Sequence, residues 1–202
     1  MNQTVLSLLV CPICRTKLQT TDEGRVCRCT GTKVHCYDFA KSGYLNLAGA
    51  HGGEGDLKEA VHARRAFLDA GYYQCLSDRL NELLDTIPSE TVLDAGSGEG
   101  YYTNRMAKAG RSVIGIDLSR AGVDYAARRA KQNATDVGFS VASLFSLPIA
   151  NESLDVVTNL FAPCAEDEFL RVLKPNGHLL LVGAGERHLM GLKQLRLGHQ
   201  HI

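Results

Sequence analysis

The chain has 202 residues, of which 45% are hydrophobic, and its 22 acidic and 22 basic residues give a formal net charge of zero. This composition is typical of a globular protein with one core and room for a small appended module. Zero net charge argues against binding nucleic acid by overall charge, although it does not exclude a local basic patch. The chain contains no apolar run of about 18 residues and no signal-peptide pattern at its start, so we expect neither a membrane span nor secretion.

Cysteine is concentrated near the start, where five of the seven cysteines lie in the first 40 residues. An odd number without a secretion signal favours metal ligation in a reducing compartment over disulfides, so we expect a cytoplasmic protein. Cys11 and Cys14 form a C-P-I-C knuckle whose thiolates can bind one tetrahedral ion. His35 and a third cysteine, Cys27 or Cys29, complete a predicted zinc site. Four protein ligands leave no position for substrate, which makes this zinc structural; a reduced cluster without metal is the alternative.

Three zones follow from the pattern along the chain. Residues 1–47 are turn-rich and hold the predicted zinc module, and residues 48–90 combine a Gly-rich linker with two predicted helices. From residue 91 to 202, short apolar strands alternate with helices, which predicts a mostly parallel sheet covered by helices. The predicted strands span residues 91–94, 112–117, 139–142, 154–159 and 178–182, and the helices between them span 101–110, 120–132 and 165–173.

The first strand of this core runs into a glycine-rich loop that reads D-A-G-S-G-E-G-Y from Asp94 to Tyr101. In open parallel sheets, ligands bind at the carboxyl ends of the strands, where glycines let the backbone approach closely. Asp117 ends the second strand, where an acid can accept hydrogen bonds from ribose hydroxyls. A dinucleotide fingerprint would place a third glycine at Tyr101, and the carboxylates would repel a pyrophosphate. The predicted cofactor is therefore the cation S-adenosylmethionine, not NAD, with contacts from Asp94, Gly96, Gly98, Glu99, Gly100 and Asp117.

This loop resembles motif I of class I methyltransferases, and L-K-P-N-G at residues 173–177 resembles the turn before their fifth strand. More narrowly, the chain resembles the bacterial large-subunit (23S) ribosomal RNA guanine-N1 methyltransferases. The resemblance implies an α/β fold, a Rossmann-like class I methyltransferase sheet with a small N-terminal zinc-binding module. It lies in C-P-I-C at 11–14, Y-D-F-A-K-S-G-Y-L-N-L at 37–47, A-R-R-A-F-L-D-A-G-Y-Y at 63–73, G-E-G-Y-Y-T at 98–103, F-A-P-C at 161–164 and R-H-L-M at 187–190.

The resemblance also implies cofactor contacts from Tyr73, from Gly98 with Glu99, and from His188. It favours Cys29 over Cys27 as the third zinc ligand, because Cys29 brings the spacing to His35 closer to the family's usual one. Members of the family continue after the fifth strand with two more strands. We therefore expect this chain to lack the family's C-terminal strands.

The implied reaction is transfer of a methyl group from S-adenosylmethionine to N1 of a guanine in 23S ribosomal RNA. The loop N-L-F-A-P-C at residues 159–164 lies where this fold meets its acceptor. Phe161 is the candidate to stack on an extruded base, and Asn159 the candidate to bind its edge. Six basic residues against three acids up to residue 50 predict that the zinc module helps to hold RNA. A small-molecule methyltransferase and a cofactor- or RNA-binding remnant without activity stay open as alternatives, and a homodimer is a further hypothesis.

Overall fold

The structure, a computed structural model, describes residues 1–21, 24–49, 58–133, 135, 137–186 and 190. The strands in this part of the chain are β1 (Leu18–Thr20), β2 (Val26–Cys29), β3 (Cys36–Asp38), β4 (Leu45–Asn46), β5 (Thr91–Ala95), β6 (Ser112–Asp117), β7 (Val137–Val141), β8 (Leu154–Leu160) and β9 (Leu173–Val182). The helices are α1 (Gln3–Leu8), α2 (Lys58–Asp69), α3 (Gln74–Thr86), α4 (Tyr101–Met106), α5 (Arg120–Gln132) and α6 (Glu166–Val172). A 3-10 turn (Leu144–Ser146) follows β7.

Six strands form one parallel sheet in the order β4-β7-β6-β5-β8-β9. The predicted parallel α/β core is therefore confirmed. Two element ends differ from the predicted bounds by more than two residues. Helix α4 ends at Met106, because the chain turns through Gly110 (φ 81°) into a bridge between Lys108 and Arg111. The predicted turn at residues 174–177 lies inside β9 as an irregularity, where Asn176 has a φ of 65°.

The sheet separates two hydrophobic layers, because side chains on a strand alternate between its faces. Leu93 of β5 and Ile114 of β6 face a layer completed by α1 and α6. Their neighbours Val92 and Val113 face the opposite layer, which α3 and α5 complete. The central strands are thus buried on both faces, as parallel sheets require. This arrangement leaves the carboxyl ends of the strands as the edge at which loops can meet a ligand.

The N-terminal segment belongs to the same core as the sheet. Helix α1 is capped by Asn2, whose side chain accepts a hydrogen bond from the backbone N–H of Val5 at 2.7 Å. Val5 packs directly on Gly138 of β7, since a Cβ added at Gly138 would lie 2.4 Å from its Cγ1. Strand β4 adds to the sheet edge by pairing with β7. The division at residue 47 stays a prediction, but sheet pairing and core packing both cross it.

The zinc-binding segment folds as a three-stranded antiparallel ribbon of β1, β2 and β3. An arginine clamp fixes this ribbon to the sheet. The guanidinium of Arg15 donates to the carbonyl oxygens of Leu147 (2.7 Å) and Ile149 (3.1 Å), in the segment between β7 and β8. Arg171 of α6 donates to the same two carbonyls at 2.9 Å each. Glu168 accepts from Arg171 and from the backbone N–H of Leu147, so a carboxylate balances the clamp.

Across the described ranges, every helix is too short or too polar to cross a membrane. Residues 50–57, which contain most of the predicted Gly-rich linker, lie outside the described residues.

Replacing Gly138 with Ala should destabilise the whole protein, because the new methyl group meets the packed Val5 side chain. Overpacking of this kind costs about 1–3 kcal/mol of unfolding free energy. Urea denaturation would measure the loss. Gly183→Ala is the matched control, since a Cβ there meets no described atom within 4 Å. The double variant Gly138→Ala with Val5→Ala should recover part of the loss; an unchanged midpoint for Gly138→Ala would contradict the packing of α1 on the sheet.

Candidate functional site

Three cysteines and one histidine converge at one end of the ribbon. The ligand atoms of Cys11, Cys14, Cys29 and His35 all lie within 4.8 Å of one another. The Nδ1 atom of His35 is 3.5 Å from Sγ of Cys11 and 3.4 Å from Sγ of Cys29, and the Sγ atoms of Cys14 and Cys29 are 3.6 Å apart. A tetrahedral zinc with ordinary bond lengths separates its ligand atoms by about 3.5–3.8 Å. The donor set and its spacing therefore fit one four-coordinate zinc ion.

Hydrogen bonds around the sulfurs favour thiolates in this cluster. The hydroxyl of Thr16, 3.2 Å from Sγ of Cys14, is the main cause of a pKa lowered to about 7. The backbone N–H of His35 donates to Cys29 and lowers the pKa of that thiol. Burial raises the pKa of Cys11, although the Tyr37 hydroxyl at 3.1 Å opposes this effect. A set of three sulfurs and one imidazole leaves no open position, as expected of a structural site.

Cys27, the competing third ligand, lies elsewhere. Its side chain is completely buried in the hydrophobic layer, and burial raises the pKa of its thiol to about 11. Cys27 and Cys29 are two residues apart on β2 with one residue between them, so both point to the same face. The ribbon nevertheless brings only Cys29 within reach of His35, because Cys29 stands at the end of the strand.

The glycine-rich loop leaves β5 and enters α4 with three glycines in the left-handed region: Gly96 (φ 89°), Gly98 (φ 52°) and Gly100 (φ 77°). A side chain is also excluded sterically at two of them. A Cβ on Gly96 would lie 2.3 Å from Cβ of Ala162, and one on Gly100 would lie 2.6 Å from Cβ of Ala126. The loop can therefore keep its course only with glycine at these positions.

Asp117 at the end of β6 holds this loop. Its Oδ2 accepts from the backbone N–H of Gly98 at 2.9 Å, and its Oδ1 accepts from Ser119 at 2.7 Å. Both oxygens keep further lone pairs, so the carboxylate can accept additional hydrogen bonds from a ligand. Inside the loop, the Oγ of Ser97 is buried and has no hydrogen-bond partner among the described residues. A buried hydroxyl of this kind usually has a partner, which indicates a ligand or water at the loop.

The two other acids are buried. Asp94 is 2% exposed, and Thr103 and Thr158 donate to its carboxylate at 2.5 and 3.3 Å. The pKa of Asp94 is raised to about 6, because burial and the nearby charges of Asp117 and Glu99 outweigh the two threonine hydrogen bonds. Burial also raises the pKa of Glu99, against the lowering effect of Arg64 and Arg129. These three carboxylates repel one another, so a cationic ligand is favoured over an anionic one.

Aromatic rings gather on the acceptor side of the loop. Tyr73, at the start of α3, lies edge-on to Phe161 with ring centroids 5.7 Å apart, and Phe67 of α2 is 5.8 Å from Tyr73. Phe161 has a φ of 55°, and its backbone N–H donates to Val182 at 2.8 Å. The structure thus brings Tyr73 and Phe161 together, two residues that are 88 positions apart in the sequence.

Asn159 is 4% exposed, and its amide nitrogen donates to the carbonyl oxygens of Ala95 (2.9 Å) and Pro163 (3.2 Å). These bonds join the end of β5 to the acceptor loop, so Asn159 fixes the position of that loop. A contact between Asn159 and a base edge stays a prediction. His188 lies outside the described residues.

Three partners in the site were absent from the prediction. Thr103 and Thr158 bind Asp94, and Tyr102 lies near it, with burial and nearby charges raising the pKa of the Tyr102 hydroxyl. Thr103 stands nine residues after Asp94, on the third position of α4. A hydroxyl at this helix position can be predicted to reach Asp94 once the length of the glycine-rich loop is known. Thr158 lies on a strand far away in sequence, so no local pattern predicts its contact with Asp94.

Comparison with known proteins accounts for both parts of the chain. A family model described as a methyltransferase domain matches residues 92–177, and one described as the RlmA N-terminal zinc ribbon matches residues 9–51. The 23S rRNA (guanine(748)-N(1))-methyltransferase of Streptomyces fradiae is 32% identical over 95% of this chain and 69% of its own length. A Micromonospora griseorubida protein named for 23S rRNA guanine-N1 methylation is 33% identical over 98% of this chain and 72% of its own length. The chain belongs to the family of 23S rRNA (guanine-N1)-methyltransferases.

Solved structures agree on the fold of this methyltransferase. The YcgJ protein of Bacillus subtilis superposes with a TM-score of 0.51 at 27% identity, covering 59% of this chain and 58% of that one. A protein of Methanococcus maripaludis gives a TM-score of 0.57 at 18% identity, covering 74% and 75%, and shows the fold alone. The predicted class I methyltransferase sheet with an N-terminal zinc module is confirmed.

The predicted cofactors, S-adenosylmethionine and structural zinc, are confirmed by the methyltransferase domain, the zinc ribbon and the Cys/His cluster. The loop residues fit S-adenosylmethionine, whose sulfonium and ammonium groups are positive. Its binding would relieve the repulsion among Asp94, Glu99 and Asp117. The backbone from Gly96 to Gly100, the carboxylate of Asp117 and the ring of Tyr73 are the groups that would hold it.

Replacing the zinc ligand Cys29 should abolish metal binding, whereas replacing the nearby Cys27 should not. The purified protein should carry one zinc ion, and Cys29→Ser should lose it because the tetrahedral set becomes incomplete. Cys27→Ser should keep the zinc but lower the unfolding free energy, since it places a hydroxyl in an apolar layer. Elemental analysis of both variants is the measurement. Zinc retained by Cys29→Ser and lost by Cys27→Ser would reverse the ligand assignment.

Asp94→Asn should stabilise the ligand-free protein in a pH-dependent way. The pKa of Asp94 rises from its ordinary 3.8 to about 6 on folding, so the folded protein holds this proton more tightly than the unfolded chain. The resulting destabilisation is absent below about pH 4, grows as the pH rises through about 6, and is constant above that. A shift of about two units corresponds to at most about 3 kcal/mol. Asn stays neutral, so urea denaturation should show a gain at pH 8 and none at pH 4.

Asp155→Asn is the control, and its expected effect on the unfolding free energy has the opposite sign. Burial raises the pKa of Asp155, but the bonds from Lys174 and Thr91 outweigh it and leave the pKa lowered. That variant should lose stability at pH 8. A gain from Asp94→Asn that is equal at both pH values would show that ionisation of Asp94 is not its cause.

Proposed function

We propose that this protein transfers a methyl group from S-adenosylmethionine to N1 of a guanine in 23S ribosomal RNA. The observation that carries the proposal is the contact between Tyr73 and Phe161, which places an aromatic pair beside the glycine-rich loop. A planar base needs such a surface when it is taken out of its stack. Family membership supplies the class of acceptor, because the relatives are named for guanine-N1 methylation of 23S rRNA.

The openness of the acceptor side favours RNA over a small molecule. Phe161 is 47% exposed and Tyr72, next to Tyr73, is 67% exposed. A small-molecule methyltransferase would enclose its acceptor in an apolar pocket, since such ligands are mostly buried when bound. An exposed aromatic surface instead suits a base that belongs to a large polymer.

S-adenosylmethionine, when bound, supplies an electrophilic methyl group. Guanine N1 carries a proton that must leave before or during attack of the N1 lone pair on the methyl carbon, as the bond from that carbon to sulfur breaks. Phe161 would orient the base by stacking, and Asn159 would hold the loop that carries Phe161. Residues 159–164 contain no carboxylate, so the proton leaves to solvent or to a group outside this loop.

We further propose that the protein acts in the cytoplasm, where ribosomal RNA is found and where cysteine thiolates stay reduced for zinc binding. The basic excess of the zinc ribbon supports a role in holding RNA, and Arg25 and Arg28 on and beside β2 are candidates for phosphate contacts. The homodimer stays a hypothesis that sedimentation would test.

Methylation of 23S rRNA can be detected by reverse transcription, because a methyl group on guanine N1 blocks base pairing and stops the reverse transcriptase. The protein with S-adenosylmethionine should produce a stop at one guanine. Phe161→Ala should lower kcat by about tenfold or more with little change in cofactor affinity, because the ring orients the base. Leu170→Ala, an exposed apolar residue of α6, is the matched control and should keep the wild-type rate. Absence of any guanine-specific stop would contradict the proposed function, and a normal kcat for Phe161→Ala would contradict the role of its ring.

A further inference from the structure

Two aromatic side chains form an exposed stacked pair beside the acceptor loop. The rings of Phe67 and Tyr72 are stacked, with centroids 4.7 Å apart and planes 20° from parallel. Phe67 is 48% exposed and Tyr72 is 67% exposed. This pair, which we name the aromatic platform, lies outside the predicted site, and none of the contacts assigned to cofactor or target base uses it.

The aromatic platform is continuous with the acceptor loop. Tyr73 is 5.8 Å from Phe67 on one side and 5.7 Å from Phe161 on the other, so a single ring separates the platform from Phe161. A base that stacks on Phe161 therefore has neighbours along its own strand within reach of the platform. Tyr72 precedes Tyr73 directly, which couples the positions of the two rings through the backbone.

Helix α2 carries two arginines shortly before Phe67. Arg64 lies one turn before Phe67 on the same helix face, and a Cβ on Gly98 would lie 3.7 Å from one of its guanidinium nitrogens. Arg65 follows it, with its guanidinium carbon 4.8 Å from the ring centre of Tyr125. Aromatic rings provide stacking for bases and nearby arginines provide positive charge, a combination by which proteins bind unpaired RNA.

We propose that the aromatic platform stacks an unpaired nucleotide that neighbours the target guanine. This inference rests on the proposed function and adds to it a second stacking position, on Phe67 and Tyr72, for a nucleotide beside the target. A base inside a duplex has both faces covered by its neighbours and cannot stack on a ring. The target guanine must already be unstacked to reach the acceptor loop, so its neighbour loses stacking at the same time. Stacking on the exposed face of the Tyr72 ring replaces the base stacking that this neighbouring nucleotide loses.

A tryptophan reporter tests the stacking directly, because the chain contains no tryptophan. In Tyr72→Trp, tryptophan emission comes from the platform alone. An RNA hairpin with an unpaired guanine-containing loop should quench this emission, whereas S-adenosylmethionine alone and a blunt duplex of the same stem should not. Fluorescence anisotropy of labelled hairpin would report binding in parallel. Binding of the hairpin without quenching, or equal quenching by the duplex, would overturn the proposal.

Kinetics on 23S rRNA fragments separate the platform from the catalytic site. Tyr72→Ala and Phe67→Ala should raise KM for RNA by roughly 5- to 150-fold, the range expected for loss of one base–ring stack. Cofactor affinity should not change, and Tyr72→Phe should keep the wild-type KM because it keeps the ring. Leu170→Ala is again the control. Thermal unfolding of each variant excludes loss of folding as the cause of a changed KM.

The outcomes distinguish the two proposals. If the wild-type protein methylates 23S rRNA and both platform variants keep its KM, the platform is wrong while the proposed function stands. If the wild type methylates no guanine but loop RNA quenches the tryptophan emission of Tyr72→Trp, RNA stacking stands and the proposed reaction fails. If Tyr72→Ala changes the sedimentation coefficient and leaves the KM for RNA unchanged, the platform contacts a second copy of the chain, which overturns its role in RNA binding.

Discussion

The arginine clamp is the interaction on which the joint arrangement of zinc ribbon and sheet depends. Arg15 directly follows Cys14, so its backbone is fixed when that thiolate binds zinc. Its guanidinium then reaches Leu147 and Ile149, which lie on the segment that crosses from β7 to β8. Arg171 of α6 donates to the same two carbonyl oxygens, so each of these buried carbonyls accepts one hydrogen bond from the ribbon and one from α6. The zinc ribbon and α6 therefore hold the same segment of the methyltransferase core.

The segment that Arg15 and Arg171 hold also lies beside the cofactor loop. The segment held by the clamp begins with the 3-10 turn, and Leu144 of that turn would lie 3.8 Å from a Cβ on Gly96. Ala162 of the acceptor loop would lie 2.3 Å from the same Cβ. Two segments thus meet beside Gly96, one held by the clamp and one held by the amide of Asn159.

The ribbon alone is too small to bury a core, and its apolar side chains face the sheet instead. Leu18 and Cys27 belong to the same hydrophobic layer as Leu93 of the central strand. Zinc binding contributes to folding in small metal modules, because the ligands are brought together only in the folded state. Since ribbon and sheet share one layer here, part of that free energy stabilises the sheet as well.

Local patterns predicted most of the core, and long-range contacts account for what they missed. Helix α5 and strand β6 occur at their predicted bounds, because a Ser119 cap and an apolar run define them locally. The pairing of β4 at the edge of the sheet was not predicted, because a strand of two residues carries no periodic signal. Nor was the aromatic platform, because helix periodicity alone leaves Phe67 as a member of an apolar face. The identity of its neighbours depends on how α2 meets α3, which local sequence does not encode.

The acceptor loop shows how this protein combines a fixed backbone with an exposed ring. Phe161 adopts a φ of 55°, a conformation that is unfavourable for a residue with a side chain. The bond from its N–H to Val182 and the bonds of Asn159 to both sides of the loop keep that conformation in place. The sheet therefore holds the strained backbone, while the Phe161 side chain is 47% exposed. In the proposed function, a base that stacked on Phe161 would meet a loop that is already ordered. The binding free energy of that stack would then not be reduced by the cost of ordering the loop.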